Sequence, residues 1–151
     1  MTHFNKLLQY EIWANDKMIA AIQVCQPEDD KLNQLMSHIL AARVVWLERI
    51  QGKLLTNAIW EIQSLEKCIK LNENINVQYT DFIKSLENKE LDKIVSYKNL
   101  KGDEFSTSLS DILVHVFNHS TYHRGQIANR LKTLSLNIHP TDYIVFSRLF
   151  S

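Results

Sequence analysis

The chain has 151 residues, the length of one domain, and its hydrophobic fraction of 45% is enough to build a sizeable core. Its 17 basic and 17 acidic residues balance, which excludes the charge excess typical of proteins that bind nucleic acid or an acidic membrane surface. Only three glycines and two prolines are present, which favours a few long helices over a sheet-rich fold. We therefore expect an all-α protein with a single domain over residues 1–151.

Cysteine usage and hydropathy bear on the cellular compartment. Cys25 and Cys68 lie far apart and form no CxxC motif, which indicates reduced thiols in a cytoplasmic protein. The N-terminus lacks the basic and apolar segments of a signal peptide, and no stretch approaches the ~18 apolar residues of a membrane span. We expect a cytoplasmic protein with no nucleic-acid or membrane partner.

The first two helices are predicted by apolar side chains that recur every three or four residues. The first runs from Thr2 to about Val24 and ends before Pro27, because the residue before a proline avoids the helical conformation. The second runs from about Asp30 to Gln51, and Gly52 is suited to its C-terminal end. His38 lies near the apolar stripe of this second helix.

A connection over residues 53–63 follows, and we expect Trp60 to pin it to the core. The third helix is predicted from Ser64, a suitable N-cap, to about Asn88. From Leu91 to Ser106 the pattern changes to short β-prone runs around a polar turn with a glycine, which predicts a hairpin or extended crossover.

The fourth helix begins at about Ser108, where Asp111 supplies an acidic residue in the first turn, and runs to about Leu134. Pro140 lies beyond its end, and Tyr143–Phe150 forms a short terminal segment. Four long amphipathic helices, with the longest connection between the third and the fourth, predict a four-helix bundle.

Three of the six histidines, His115, His119 and His123, are spaced four residues apart on the fourth helix. Side chains at this spacing project from one helix face, so two imidazoles can bind one metal ion. Together with His38 they predict a site with three histidine ligands and an open fourth position, which is typical of catalytic rather than structural zinc. His119 and His123 are the preferred pair, whereas His115 is a ligand, a partner of a ligand or a hydrogen-bonded core histidine.

Simpler interpretations compete with a site. The histidine pair could be a helix face without metal, and His38 alone a half-buried residue at the edge of the core. Gly125, in the middle of the helix, indicates a close approach by a neighbouring helix or a substrate. Several other residues are expected to have no chemical role: His3 and His139 face solvent, Trp13, Trp46 and Trp60 pack in the core, and Arg43, Glu48 and Arg49 form a solvated face.

Four segments, in the same order along the chain, resemble the motifs of the DinB family of damage-inducible proteins, which is related to the YfiT-like metal-dependent hydrolases. Tyr10–Asn15 is similar to the opening motif, and His38–Leu47 to a second-helix motif with a tryptophan two turns after a histidine. His115–Ile127 resembles the fourth-helix signature, which is the most specific of the four, and Thr141–Ile144 resembles the usual ending.

The resemblance implies an up-down-down-up four-helix bundle that is frequently a homodimer. It also implies a divalent metal ion, zinc or nickel, held by His38, His119 and His123, with His115 as a neighbour. Because the family is similar to bacillithiol S-transferases and mycothiol-dependent maleylpyruvate isomerase, the implied function is a metal-dependent activation of a small thiol for transfer to an electrophile. The alternatives are a non-catalytic metal-binding helical module and a metal-dependent hydrolase.

Among residues near the histidines, Tyr122, Arg124 and Gln126 are candidates for orienting the cosubstrate. Adjacent helical residues point in different directions, so not all three can do so.

Overall fold

The computed structural model describes residues 3–56, 61–86 and 90–150, which form five helices and one two-stranded antiparallel hairpin. The elements in chain order are α1 His3–Gln23, α2 Asp30–Ile50, α3 Leu65–Ser85, β1 Ile94–Lys98, β2 Glu104–Ser108, α4 Leu109–Thr133 and α5 Tyr143–Leu149.

The four long helices lie where the apolar periodicity predicts them: α2 and α4 differ from the prediction by at most one residue at either end, and α1 ends one residue before the predicted Val24. Three of them begin at a side-chain cap that accepts a backbone N–H: Asp29 for α2, Ser64 for α3 and Ser108 for α4. The predicted start of the first helix at Thr2, the predicted end of the third helix at Asn88, and the expected packing of Trp60 fall outside the described residues.

The end of α2 shows why Gly52 stops a helix. Gly52 has a φ of +65°, in the left-handed region that glycine adopts without a steric penalty, and its N–H donates to the carbonyl of Arg49 at 3.1 Å.

The long helices pack in the cyclic order α1, α3, α2, α4, so α1 and α2 lie diagonally opposite. Contacts at two heights along each helix pair show the relative chain directions. Helices α2 and α4 are antiparallel, because Asp29 contacts Arg130 and Trp46 contacts His115. Helices α2 and α3 are parallel, as shown by Ser37–Cys68 and Arg43–Asn76, and so are α1 and α4, where Leu7 and Phe117 line one cleft and Met18 and Ala128 line the next. Helices α1 and α4 therefore both run opposite to α2 and α3. This is the up-down-down-up arrangement that the resemblance implies.

The hairpin closes one end of the α2–α4 interface. It is tied to the start of α4 by the N–H of Leu109, which donates to the carbonyl of Lys93 at 2.8 Å. Val95 is buried against the core, and the Tyr97 ring lies 5.0 Å from that of Trp46 on α2. The predicted hairpin is confirmed, and it places an aromatic wall, formed by Trp46 and Tyr97, beside His115, the first histidine of α4.

A second apolar cluster fixes the C-terminal helix. Phe146 of α5 is buried against Tyr10 and Ala14 of α1, with the Trp13 ring 5.7 Å away. Trp13 and Trp46 thus pack against the core, as expected for residues that do not form a ligand cage. Among the described residues, no helix is both long and apolar enough to cross a lipid bilayer.

Candidate metal centre

His38 of α2 and His119 and His123 of α4 converge near the middle of the α2–α4 interface. One ring nitrogen of each histidine lies within 4.8 Å of a ring nitrogen of each of the other two, and Nε2 of His38 is 3.0 Å from Nε2 of His119. His38 is only 6% exposed, whereas His119 and His123 are half-buried. The structure therefore brings together the three residues that the resemblance indicates, with one side of the cluster at the surface.

His115 lies one helical turn away from this group. Its ring is 5.7 Å from that of His119 and packs edge-on against Trp46 at 5.1 Å. Burial, followed by the charge of Arg49, lowers its pKa. His115 is a neighbour that separates the histidine group from the aromatic wall, and it is exposed to solvent.

The protonation state of the cluster suits metal binding. Burial, followed by the proximity of His123 and His38, lowers the pKa of His119 to about 4, so its imidazole is neutral near pH 7. Nδ1 of His123 lies 2.7 Å from Oε1 of Gln126, an oxygen that can only accept a hydrogen bond. Nδ1 of His123 therefore carries the hydrogen, which leaves the Nε2 lone pair for a ligand bond.

The donor set fits a borderline divalent cation. Metal–nitrogen bonds of about 2.0–2.1 Å in tetrahedral geometry separate two ligand atoms by about 3.3 Å. The observed 3.0 Å between Nε2 of His38 and Nε2 of His119 is close to this value. Imidazole nitrogens are also a ligand type that zinc and nickel accept, so His38, His119 and His123 could hold such an ion.

The expectation of a solvated face on α2 is wrong for Arg43, which is 1% exposed. Arg49 is half-buried: its guanidinium stacks between the rings of Trp46 and Tyr97, at 4.7 and 5.2 Å, and donates to the carbonyl of Lys98 at 2.9 Å. Glu48 is also half-buried and accepts from the N–H of Thr56 at 3.1 Å.

Gly125 does not mark the close approach of a neighbouring helix. A Cβ atom placed on Gly125 would meet no atom within 4 Å, and the residue is exposed. Of the three residues considered for orienting a cosubstrate, Arg124 is 2% exposed and points into the bundle, whereas Tyr122 is 67% exposed beside His123. Gln126 serves His123 instead, as described above.

Sequence reasoning missed a buried ionic network behind the histidines. Glu11 of α1 is 0% exposed and accepts from Nη1 of Arg124 at 2.6 Å and from Nδ2 of Asn15 at 2.9 Å. The oxygen that accepts from Asn15, Oε1, also lies 3.8 Å from Nε of Arg43. Burial alone would raise the pKa of Glu11, but the charges of Arg124 and Arg43, with a hydrogen bond from Ser120, hold it below its usual value.

One signal in the sequence pointed to this network. Arg43 interrupts the buried apolar run from Ile39 to Val45, and a charge in that position requires a partner inside the fold.

Comparison with known proteins agrees with the fold. The sequence model of the DinB family matches residues 1–149. The chain is 29% identical over 156 aligned positions to Protein DinB of Bacillus subtilis (strain 168), covering 91% of this chain and 90% of that protein. The crystal structure of a DinB-like protein from Bacillus cereus superimposes with a TM-score of 0.69 at 18% identity, over 91% of this chain and 94% of that one, and thus shares the fold. Because the family model spans nearly the whole chain, this protein belongs to the DinB family.

Proposed function

We propose that this protein is a metal-dependent enzyme that activates a small thiol for transfer to an electrophile. The observation that carries the proposal is the cluster of His38, His119 and His123, three imidazoles that share one small volume and reach the surface on one side. We assign these three residues as the ligands of a zinc or nickel ion.

Each residue has a separate task in this proposal. When bound, the metal ion supplies a Lewis acid that lowers the pKa of a coordinated thiol or water. His38 anchors the centre in the buried interface, while Gln126 holds the ring of His123 with Nε2 free for the ion. Tyr122, exposed beside His123, is placed to contact a thiol or an electrophile that approaches from solvent.

Two other functions use the same histidines. In a non-catalytic module the ion would only join α2 to α4, and such structural sites are usually closed by a fourth protein ligand. The half-exposed His119 and His123 favour an open position and therefore an enzyme. A hydrolase would activate water in place of the thiol at the same open position.

The test is an assay of the metal-loaded protein with a small aliphatic thiol and a chromogenic electrophile. We expect turnover that depends on metal and thiol, that is lost in His119→Ala and that persists in His139→Ala, because His139 is an exposed histidine away from the group. Metal binding without thiol-dependent turnover would support the module instead. Turnover of an activated ester in the absence of thiol would support the hydrolase.

We also propose that the chain acts as a homodimer. A largely apolar cleft of about 400 Å³ lies between α1, α4 and the C-terminal segment, and Ile144 and Phe150 of that segment are more than half exposed. Light scattering on the purified protein should give twice the chain mass of 17.7 kDa, and a monomer at micromolar concentration would contradict this assignment.

A further inference from the structure

We propose that Glu11 is a positioning residue for the metal centre, because its carboxylate couples the two helices that carry the histidines. Glu11 lies on α1, which contributes no histidine to the group, and it pairs with Arg43 of α2 and Arg124 of α4. It acts through these arginines rather than by ligating the ion. The inference rests on the proposed metal centre and adds to it a buried residue that controls its geometry.

Glu11 fixes the rotation of α4 about its own axis through Arg124. Ser120 and Arg124 are four residues apart, so they share one face of the helix, and both turn toward Glu11. His119 and His123 each precede one of these residues, and consecutive helical residues are about 100° apart around the axis. When Glu11 holds Arg124, with the buried Ser120 on the same face, the two histidines are therefore rotated away from α1 and toward α2.

Helix α2, which supplies the third histidine, is held in its orientation through Arg43. Arg43 is fixed on three sides, since Nη1 donates to Oδ1 of Asn76 at 2.8 Å, its carbonyl accepts from the Tyr79 hydroxyl at 2.9 Å, and Nε faces Glu11. These contacts turn one face of α2 toward α1 and α3. His38, on another face of α2, is thereby directed at α4.

Glu11 is the carboxylate that pairs with both buried arginines. Within the described part of the chain, Nε and Nη2 of Arg43 and Nε of Arg124 are buried without a hydrogen-bond partner. Removal of the negative charge would leave two buried guanidinium groups facing each other, one on α2 and one on α4. Their repulsion acts on the same two helices whose alignment sets the separation of the histidines.

The test compares Glu11→Gln with the wild type by titration of the metal-free proteins with cobalt(II), whose visible absorption bands report coordination geometry as well as affinity. We expect Glu11→Gln to retain a helical circular dichroism spectrum but to bind cobalt about ten- to a hundredfold more weakly, with altered absorption bands. Wild-type affinity together with wild-type bands in a folded Glu11→Gln protein would overturn the inference.

The matched control is Asp29→Asn, which removes another α2–α4 ion pair, to Arg130, at a distance of several turns from the histidines. Asparagine still caps α2, so this variant loses a charge pair without loss of the helix start. We expect it to bind cobalt with the affinity and spectrum of the wild type. Equal weakening in Asp29→Asn and Glu11→Gln would show that any loosening of the bundle suffices, which contradicts a specific role for Glu11.

A second variant covers the case in which Glu11→Gln does not fold. Glu11→Asp keeps the charge but withdraws the carboxylate by one methylene group, and we expect weaker binding with altered bands. If it binds as the wild type does, the inference is wrong. Failure of the wild type to bind cobalt, or unchanged binding in His119→Ala, would instead overturn the proposed metal centre itself.

Discussion

Two polar clusters share helix α4 and differ in charge, burial and completeness. One is ionic and almost fully enclosed, with Glu11, Arg43 and Arg124 each no more than 2% exposed. The other is a group of imidazoles that reaches the surface, and its member His119 has its pKa lowered to about 4 by burial and by its neighbours. The positions that serve the two clusters on α4 are adjacent in sequence.

This difference indicates which cluster serves the fold and which serves a ligand. The ionic cluster contains both signs of charge, and its one carboxylate offsets part of the charge of the two arginines, as a buried structural network requires in a medium of low dielectric constant. The histidine group brings three lone-pair donors together, and a cation completes such an arrangement. The predictions below test this division, from the largest expected effect to the smallest.

Disruption of the ionic cluster should have the largest effect on stability. Arg124→Ala removes the closest partner of Glu11 and leaves a buried carboxylate whose remaining contacts include the hydrogen bond from Asn15 and the longer 3.8 Å ion pair with Arg43. Such a change should lower the free energy of unfolding by about 3–5 kcal/mol. Urea denaturation of the metal-free protein measures this, and a loss below about 1 kcal/mol, as expected of exposed ion pairs, would contradict the structural role.

The histidine cluster could be predicted from the sequence much better than the ionic one. The spacing of His119 and His123 places both on one helix face, His38 was a candidate third ligand from the second helix, and the resemblance to a family singled out these three. Helix bounds also followed from apolar periodicity and from caps such as Ser64 and Ser108, because these signals are local.

The ionic network could not be found in this way, because its partners are far apart in the chain. Glu11 and Arg124 are separated by 113 positions, and a charged residue on a helix is exposed far more often than buried. Only the packing of α1 against α4 shows that the two side chains meet. The open space around Gly125 is likewise a tertiary property, and the expectation of a close helix there was wrong.

Metal binding should stabilise the fold through the histidine cluster alone. At zinc concentrations about a hundredfold above the dissociation constant, the wild type should gain about 2.7 kcal/mol in unfolding free energy. His38→Ala should show no gain, whatever its metal-free stability, because one of the three ligands is missing. Denaturation of both proteins with and without zinc measures the difference, and an equal gain in His38→Ala would place the binding site elsewhere.

Lowering the pH should reduce the stabilisation that the ionic cluster gives to the fold. The pKa of Glu11 is held below its ordinary value of 4.5, because the attraction of two arginines outweighs the effect of burial. Below pH 4.5 the Glu11 carboxylate is protonated more readily in the unfolded chain than in the folded protein. The stabilisation that the ionised carboxylate gives to the fold above pH 4.5 is therefore lost as the pH falls through the folded-state pKa. The difference in unfolding free energy between wild type and Glu11→Gln should therefore narrow below this pH in urea titrations of the metal-free proteins. A difference that stays constant would show that Glu11 is not held ionised by its neighbours.

The smallest effect on stability is expected for substitution of Gly125, which belongs to neither cluster. Gly125→Ala should raise the unfolding free energy by about 0.4–1 kcal/mol, because alanine favours the helix and its Cβ would contact nothing. Thermal denaturation of the metal-free protein checks the sign. A destabilised variant would restore the interpretation that another chain segment approaches this position, for instance in the proposed dimer.

The most direct test of the account is the metal content of untagged protein purified without chelators, measured by mass spectrometry for wild type, His119→Ala and His115→Ala. We predict one divalent ion per chain in the wild type, loss of that ion in His119→Ala, and retention in His115→Ala, because His115 lies outside the group of three. No metal in the wild type after addition of zinc or nickel, or full occupancy in His119→Ala, would contradict the assignment of His38, His119 and His123 as a metal centre.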